Sequence, residues 1–199
     1  MSRLDTDEDY DHWIDLPVYD GWQDFWGSEK KWAKFTAENF LQINDLPSGR
    51  GEIKRLAKIL IENRRACEAS SLGNEHFLYF ADPEQPPIAL HIPYGPSEGE
   101  REATLRQLAH ADSTEVITSP QVEVFETRAF GAGLRSRNHV MLDDQSIVVN
   151  LWYGFRDEAH GMDLIVFVST GDLGRLAAAE PHIDEFVRSI KFVDEDEEV

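Results

Sequence analysis

The chain has 199 residues, of which 41% are hydrophobic, and it carries a formal net charge of −19 at pH 7. The length allows one substantial core, and two domains are possible but not required. This apolar content with five tryptophans excludes a disordered chain. The excess of carboxylates argues against a nucleic-acid-binding protein, because contacts with a phosphate backbone require clustered positive charge.

The sequence predicts a cytoplasmic protein that does not associate with a membrane. Cys67 is the single cysteine, which excludes an internal disulfide and is typical of a reducing compartment. The N-terminus is acidic where a signal peptide is basic and then apolar. No window approaches the roughly 18 apolar residues of a membrane span.

The first 70 residues are predicted to form an acidic arm followed by a helical extension. Residues 1–12 are expected to be flexible, and residues 13–70 helical. Nine of the chain's 21 aromatic residues lie between Tyr10 and Phe40. Two interpretations of this aromatic stretch stay open: it is buried core, or it is an exposed binding surface.

Residues 52–70 are predicted to form a helix with one apolar and several basic faces. The apolar stripe comprises Ile53, Leu56, Leu60 and Cys67. On that stripe Cys67 is expected to be a small buried hydrophobe. The basic residues are Lys54, Arg55, Lys58, Arg64 and Arg65. They are expected to form a surface for an acidic partner or for acidic segments of this chain.

Residues 75–193 are predicted to form the sheet core. Two apolar runs, 76–80 and 88–92, are separated by a proline-rich turn, as in a pair of strands. His76 and His91, within these runs, are expected to be hydrogen-bonded core residues rather than metal ligands. A helix is predicted over 98–110.

Four further strands are predicted over 121–130, 133–142, 146–155 and 162–169. Their connections, including a glycine turn at 131–133, are too short for crossover helices, so neighbouring strands are expected to run antiparallel.

The C-terminal region is predicted to contain a broken helix, a short strand at 191–193 and an acidic tail at 194–199. Pro181 is expected to begin a second helix, because proline suits a first turn better than a helix interior. The predicted fold class is α+β: a mainly antiparallel sheet flanked by helices in an α/β/α sandwich. Residues 13–193 are expected to form a single domain.

Three segments and the order of elements point to a known fold. The segments are 129–135, 166–170 and 183–192. Together with the element order they resemble a group of uncharacterised actinobacterial cytoplasmic proteins with a PsbP-like fold. That fold is seen in a photosystem II extrinsic subunit and a Ran-binding import factor. The resemblance covers about residues 75–193 and implies a protein-binding domain without a shared catalytic site.

The string Gly95–Gly99 spells G-x-S-x-G, the nucleophile elbow of serine esterases. A serine hydrolase using Ser97 would need an acid and a histidine later in the chain. The candidates are Asp163 or Asp172 for the acid and His160 or His182 for the base.

A helix cap is the favoured interpretation of the same string. Ser97 and Glu100 form S-x-x-E, a capping box that satisfies free N–H groups at a helix start. The neighbouring strands are also predicted to belong to hairpins, whereas a nucleophile elbow follows a parallel strand. No catalytic residue is therefore predicted.

One polar turn offers oxygen and imidazole groups for a metal ion. Its residues are Asp157, Glu158, His160 and Asp163. They lack the tight His/Cys spacing of a zinc site and the defined loop of a calcium site. The turn is predicted to be a solvated hairpin tip, and no metal or cofactor is predicted.

The predicted function is that of a non-catalytic cytoplasmic protein that binds another protein. The binding surface would be the acidic face of the α/β domain or the aromatic and basic N-terminal region. Two alternatives stay open: a small serine hydrolase using Ser97, Asp172 and His182, and an acidic immunity-type inhibitor of a basic toxin. The partner and the oligomeric state are not predicted.

Overall fold

A computed structural model describes residues 2–6, 11–19, 21–70, 72–82 and 84–194. The described chain divides into two compact units. We call residues 11–91 the N-terminal unit, and residues 2–6 together with 92–194 the sheet unit. The organisation of residues 13–193 as one domain stays a prediction. Most of the predicted acidic tail lies outside the described residues.

The described residues form five helices and ten strands, and the α+β fold class is confirmed. The strands β1 to β10 are Ser2–Asp5, Trp13–Asp15, Glu75–Tyr79, Ile88–Ile92, Tyr94–Pro96, Thr118–Thr127, Gly131–Met141, Ile147–Asp157, Met162–Thr170 and Lys191–Asp194. The helices α1 to α5 are Trp22–Trp26, Glu29–Ile43, Arg50–Ser70, Arg101–Leu108 and Leu173–Ser189. None of the described helices has the length and apolar character that a membrane span requires.

In the N-terminal unit, α2 and α3 share a core with the strands β2, β3 and β4, which lie in that order in the sheet. The predicted stripe of α3 is buried at Leu56, Leu60 and Cys67. Side chains alternate across a strand, so Leu78 and the adjoining Phe80 face this core together. The predicted strand pair and the helix of residues 52–70 are confirmed.

A buried cation joins the three helices of this unit. Arg64 of α3 is 3% exposed. Its Nη1 donates at 3.2 Å to Oε1 of Glu29, which is the first residue of α2. Its guanidinium also pairs with Glu68 of α3 at 3.1 Å. The guanidinium carbon lies 4.2 Å from the centre of the Trp22 ring of α1. Because a buried charge is costly unless it is paired, these contacts hold α1, α2 and α3 together.

The aromatic stretch is buried core at some residues and exposed at others, and its role as a binding surface stays a prediction. Trp13, Trp22, Trp32 and Phe40 are buried in the core. Phe25, in contrast, is 79% exposed, and Phe35 and Tyr19 are exposed as well. Phe25 and Phe35 both contact Trp26, whose ring centre lies 5.0 Å from that of Phe25 and 5.4 Å from that of Phe35.

The sheet unit is built on an antiparallel meander of β6, β7, β8 and β9, as predicted. Strand β5 pairs with β9, and β1 pairs with β10 in a separate two-stranded sheet. Residues 2–5, predicted as part of a flexible arm, are thus a paired strand. The glycine turn predicted at 131–133 was wrong: β7 already begins at Gly131, and the turn lies at 128–130.

The predicted break at Pro181 was also wrong, because α5 continues through it. Buried residues on both sides of the proline, including Ala179 and Ile183, bind one helix face to the core. Pro181 cannot donate to the carbonyl of Ala177, but both residues are exposed, so water can satisfy that oxygen. Packing therefore outweighs the cost of a proline inside the helix.

Polar contacts attach α5 to the sheet as well. The Tyr153 hydroxyl of β8 donates to Asp184 Oδ1 at 2.6 Å, and Arg135 of β7 pairs with Glu180 and Asp184. Burial, and next the hydrogen bond to Asp184, raises the pKa of Tyr153. The phenol is therefore a neutral donor, and the helix is held against β7 and β8 by charged and neutral donors together.

Gly133 marks a close approach within the meander. A Cβ on this buried residue would overlap the Phe155 ring and the backbone oxygen of Gly154, which cannot move aside. We expect Gly133→Ala to lower the free energy of unfolding by about 2–3 kcal/mol, as overpacking does. Gly95→Ala is the control, because a Cβ there meets open space and its effect should stay within about 0.5 kcal/mol. Urea unfolding of both variants measures this, and equal stabilities would contradict it.

Candidate functional site

Ser97 lies in a loop between β5 and α4, and its surroundings differ from a nucleophile elbow. The preceding strand, β5, is antiparallel to β9. The backbone at Ser97 does not have a positive φ, and its N–H donates to the Gly161 carbonyl oxygen at 2.8 Å. The Ser97 hydroxyl donates to Asp163 Oδ1 at 3.0 Å. No described histidine is hydrogen-bonded to this hydroxyl, so the serine lacks the base that would activate it.

Asp163 closes this loop through a buried ion pair with Arg156. The Arg156 guanidinium donates to both Asp163 carboxylate oxygens, at 2.7 and 2.9 Å, and to the backbone oxygens of Glu98 and Gly99. Desolvation raises the pKa of Asp163, but the hydrogen bonds from Arg156, the Glu98 N–H and Ser97 outweigh it, so this pKa lies below its usual value. The carboxylate is thus an acceptor that positions the loop.

The capping prediction at Ser97 was wrong, because α4 begins later. Glu100 is the N-cap, and its carboxylate accepts from the Ala103 N–H at 3.0 Å. Thr104 also bonds back to the Glu98 and Glu100 carbonyls at 2.8 and 2.9 Å. The Ser97 hydroxyl is bonded to Asp163 and does not accept from the helix. Glu100, the second residue of the predicted capping box, therefore caps α4 instead.

The other hydrolase candidates occupy structural positions. Asp172 is the N-cap of α5 and accepts from the Arg175 N–H at 2.9 Å. His182 lies on the exposed side of α5. His160 Nδ1 lies 2.7 Å from Asp157 Oδ2. An open cleft of about 580 Å³ adjoins the Ser97 loop, but its lining includes three carboxylates and no lysine, arginine or histidine to stabilise an oxyanion.

The polar turn predicted as a hairpin tip does not bring its four candidates to one point. Asp157 accepts from the backbone N–H groups of Ala159 and His160. Glu158 pairs with Arg101 at 3.2 Å, and Asp163 pairs with Arg156. Each carboxylate is committed to a different cation or donor, so the described turn offers no shared set of metal ligands.

A groove between α2 and α3 is the most distinctive surface of the N-terminal unit. It has a volume of about 820 Å³. Its lining residues are Lys30, Lys34 and Glu38 of α2, and Arg50, Ile53, Lys54, Ala57, Lys58, Ile61, Glu62 and Arg65 of α3. Six of these are basic and two are acidic, in a chain that is strongly acidic as a whole.

The floor of the groove is apolar. Ile53, Ala57 and Ile61 are half-buried against the core of the unit and follow each other at intervals of four residues. This spacing extends along α3 for about 12 Å. Sequence reasoning assigned Ile53 to the buried stripe and missed Ala57 and Ile61. The interval of four residues between the three positions indicates a second apolar stripe on α3.

The rim of the groove combines paired and unpaired cations. Lys34 pairs with Glu38 at 3.4 Å, and Lys58 pairs with Glu62 at 3.5 Å. Lys30, Arg50 and Lys54, on the other hand, form no ion pair with any described residue. Among the described residues, no carboxylate therefore neutralises these three positive charges.

No family model matches the chain, and no curated protein matches its sequence. The resemblance to the PsbP-like proteins stays a prediction, and the function has to be argued from the surfaces themselves.

Asp163→Asn should change how the stability of the protein depends on pH. An aspartate whose pKa is lowered by folding contributes stability above its unfolded pKa, near 3.8, and loses that contribution as the pH falls through the folded value. We therefore expect Asp163→Asn to lower the Tm at pH 7, and the difference from wild type to shrink below pH 3.8. Thermal melting at several pH values measures this.

The exposed Asp143 provides the control, because Asp143→Asn removes the same charge without breaking a buried pair. A Tm difference between wild type and Asp163→Asn that stays constant across the pH range would contradict the assigned role.

Ser97 should not react with a fluorophosphonate probe. Its hydroxyl donates to a carboxylate, and no described histidine is bonded to it to remove the proton. Labelling followed by gel fluorescence, with a known serine hydrolase as positive control, measures this. Labelling of wild type but not of Ser97→Ala would overturn the expectation and support the hydrolase.

Proposed function

We propose that this protein acts by binding a partner protein rather than by catalysis. We further propose that the docking segment of the partner is an acidic amphipathic helix, which lies in the groove between α2 and α3. The observation that carries the proposal is the combination of an apolar floor and a basic rim in one groove.

The apolar floor supports a helix as the docking segment. Half-buried isoleucines leave apolar area in contact with water, and covering that area is favourable. A helix presents apolar side chains at intervals of three and four residues, which match the spacing of Ile53, Ala57 and Ile61. The apolar stripe of the floor is long enough for about two turns of such a helix.

The rim supports an acidic partner. Lys30 and Lys54 stand on the two helices that border the floor, so carboxylates on both sides of a docked helix would meet a cation. A basic partner would be repelled at the same place. An inhibitor of a basic toxin would therefore have to use another surface of the protein.

The binding test uses a designed probe. A fluorescein-labelled peptide of about 15 residues carries leucines on one helical face and glutamates on the flanks. Fluorescence anisotropy gives its Kd for wild type and for Lys30→Glu/Lys54→Glu. We expect the double variant to bind about tenfold more weakly, because reversing two surface charges costs about 1–2 kcal/mol.

The chain offers a matched control on the same two helices. Lys31 and Arg55 follow Lys30 and Lys54 directly but do not line the groove. Lys31→Glu/Arg55→Glu changes the net charge equally and should keep the Kd within about twofold of wild type. Equal weakening in both double variants, or equal binding of a scrambled peptide without an apolar face, would overturn the proposal.

A further inference from the structure

Three chemically reactive side chains meet in the core of the N-terminal unit. They come from three elements: Cys67 from α3, His76 from β3 and His91 from β4. One potential ligand atom of each residue lies within 4.8 Å of those of the other two. Cys67 is 3% exposed and His76 1%, whereas His91 is half-buried.

The two imidazoles are in direct contact. His76 Nδ1 lies 2.8 Å from His91 Nδ1, a distance at which one nitrogen donates its proton to the other. The prediction that both histidines are hydrogen-bonded is thus confirmed, with His76 buried and His91 half-buried. The same prediction preferred core residues to metal ligands, and that part is untested. What sequence reasoning missed is that they bond to each other, next to the only cysteine.

The two histidines can bind a metal ion as neutral imidazoles. Burial lowers the pKa of His76, and burial together with His76 lowers the pKa of His91 to about 4. The hydrogen bond between the two Nδ1 atoms also requires one of them to be unprotonated, and a neutral imidazole is the form that binds metals. Burial raises the pKa of the Cys67 thiol to about 11, because a bare thiolate would be costly in this core. A bound cation would remove that cost by neutralising the thiolate.

We propose that Cys67, His76 and His91 form a three-ligand site for a d10 cation, Zn²⁺ or Cu⁺. Thiolate and imidazole are the ligands that both ions accept, whereas Mg²⁺ and Ca²⁺ require oxygen ligands. The site lies on the core side of α3, and its test is independent of the groove.

The geometry requires only small movements. In a tetrahedral zinc site, Zn–N distances of about 2.0–2.1 Å place two nitrogens about 3.3 Å apart. The present separation of 2.8 Å between the two Nδ1 atoms would therefore increase by about half an ångström on metal binding. The thiolate would close the third position, and His91 is the one ligand of the three that is only half-buried.

Metal binding releases one proton from the site and moves another from one ring nitrogen to the other. The Cys67 thiol loses its proton to water as sulfur binds the cation. The proton shared by the two Nδ1 atoms is replaced by the metal, and the imidazole that carried it keeps its neutral charge by moving the proton to Nε2. Three protein ligands leave a further coordination position, which water or another small ligand can take.

The experiment uses the full chain without a polyhistidine tag, freed of metal by EDTA. Titration with Co²⁺, which replaces Zn²⁺ and has visible absorption, should reach saturation at one equivalent with a thiolate-to-cobalt charge-transfer band. Zn²⁺ should displace the cobalt. Competition with a Cu⁺ chelator under anaerobic, reducing conditions measures the second ion. Tight binding of either ion supports the site, and the relative affinities identify the ion that it prefers.

Three variants test the assignment. Cys67→Ser and His91→Gln should each weaken binding by about a hundredfold or more, since even residues that only support metal ligands are worth about 10- to 100-fold. His160→Gln is the control, because His160 lies beside a carboxylate in the sheet unit, and should bind as wild type does. Because His91 is half-buried, its variant is the one best placed to fold normally.

Thermal melting supplies an independent measurement. Zn²⁺ at about 100 times its Kd should raise the Tm of wild type by roughly 5–10 °C and leave that of Cys67→Ser unchanged. The proposal is overturned if wild type binds neither ion, or if Cys67→Ser and His91→Gln bind as tightly as wild type does.

Discussion

The arrangement of the N-terminal unit depends on one buried cation. Arg64 lies in the interior of α3, and its guanidinium needs the carboxylates of Glu29 and Glu68 to offset the loss of water. Glu29 stands at the start of α2, and the ring of Trp22 covers the same guanidinium from α1. Separating these helices would take Glu29 and the Trp22 ring away from Arg64 and leave it with Glu68 of its own helix alone. This contact and the apolar core that α2 and α3 share together hold the two helices, and with them the groove, in place.

Helix α3 serves different purposes on different faces. Leu56 and Leu60 belong to the core, Cys67 meets the two histidines, and the stripe that begins at Ile53 forms the floor of the groove. A period of 3.6 residues separates these faces without any special sequence motif. In the sheet unit the equivalent polar groups are used internally: Asp163, for example, is bonded to Arg156 and Ser97. The groove and the cysteine and histidine cluster, on which the two proposals rest, both lie in the N-terminal unit.

Periodicity predicted most of the fold, because the strands of the meander and the stripe of α5 are long and regular. It failed where contacts between residues distant in the sequence outweighed the local preference of one residue. Ser97 bonds to a carboxylate 66 residues away and does not cap α4. Pro181 lies inside α5 because buried residues on both sides of it pack against the core. The cysteine and histidine cluster was missed for a related reason: Cys67 and His91 are far apart in sequence and lie on a helix and a strand, so no local spacing connects them.

The basic rim affects the rate at which an acidic molecule associates with the protein. The chain carries a net charge of −19, so an acidic molecule is repelled on average as it approaches, while Lys30, Arg50 and Lys54 attract it locally. Approach is then productive mainly from the direction of α2 and α3, which orients the incoming molecule before contact. At physiological ionic strength the Debye length is about 8 Å, so this guidance acts only over the last steps of diffusion. For the proposed acidic partner, the position of the rim would therefore set the orientation of the encounter as well as favour the charge of the partner.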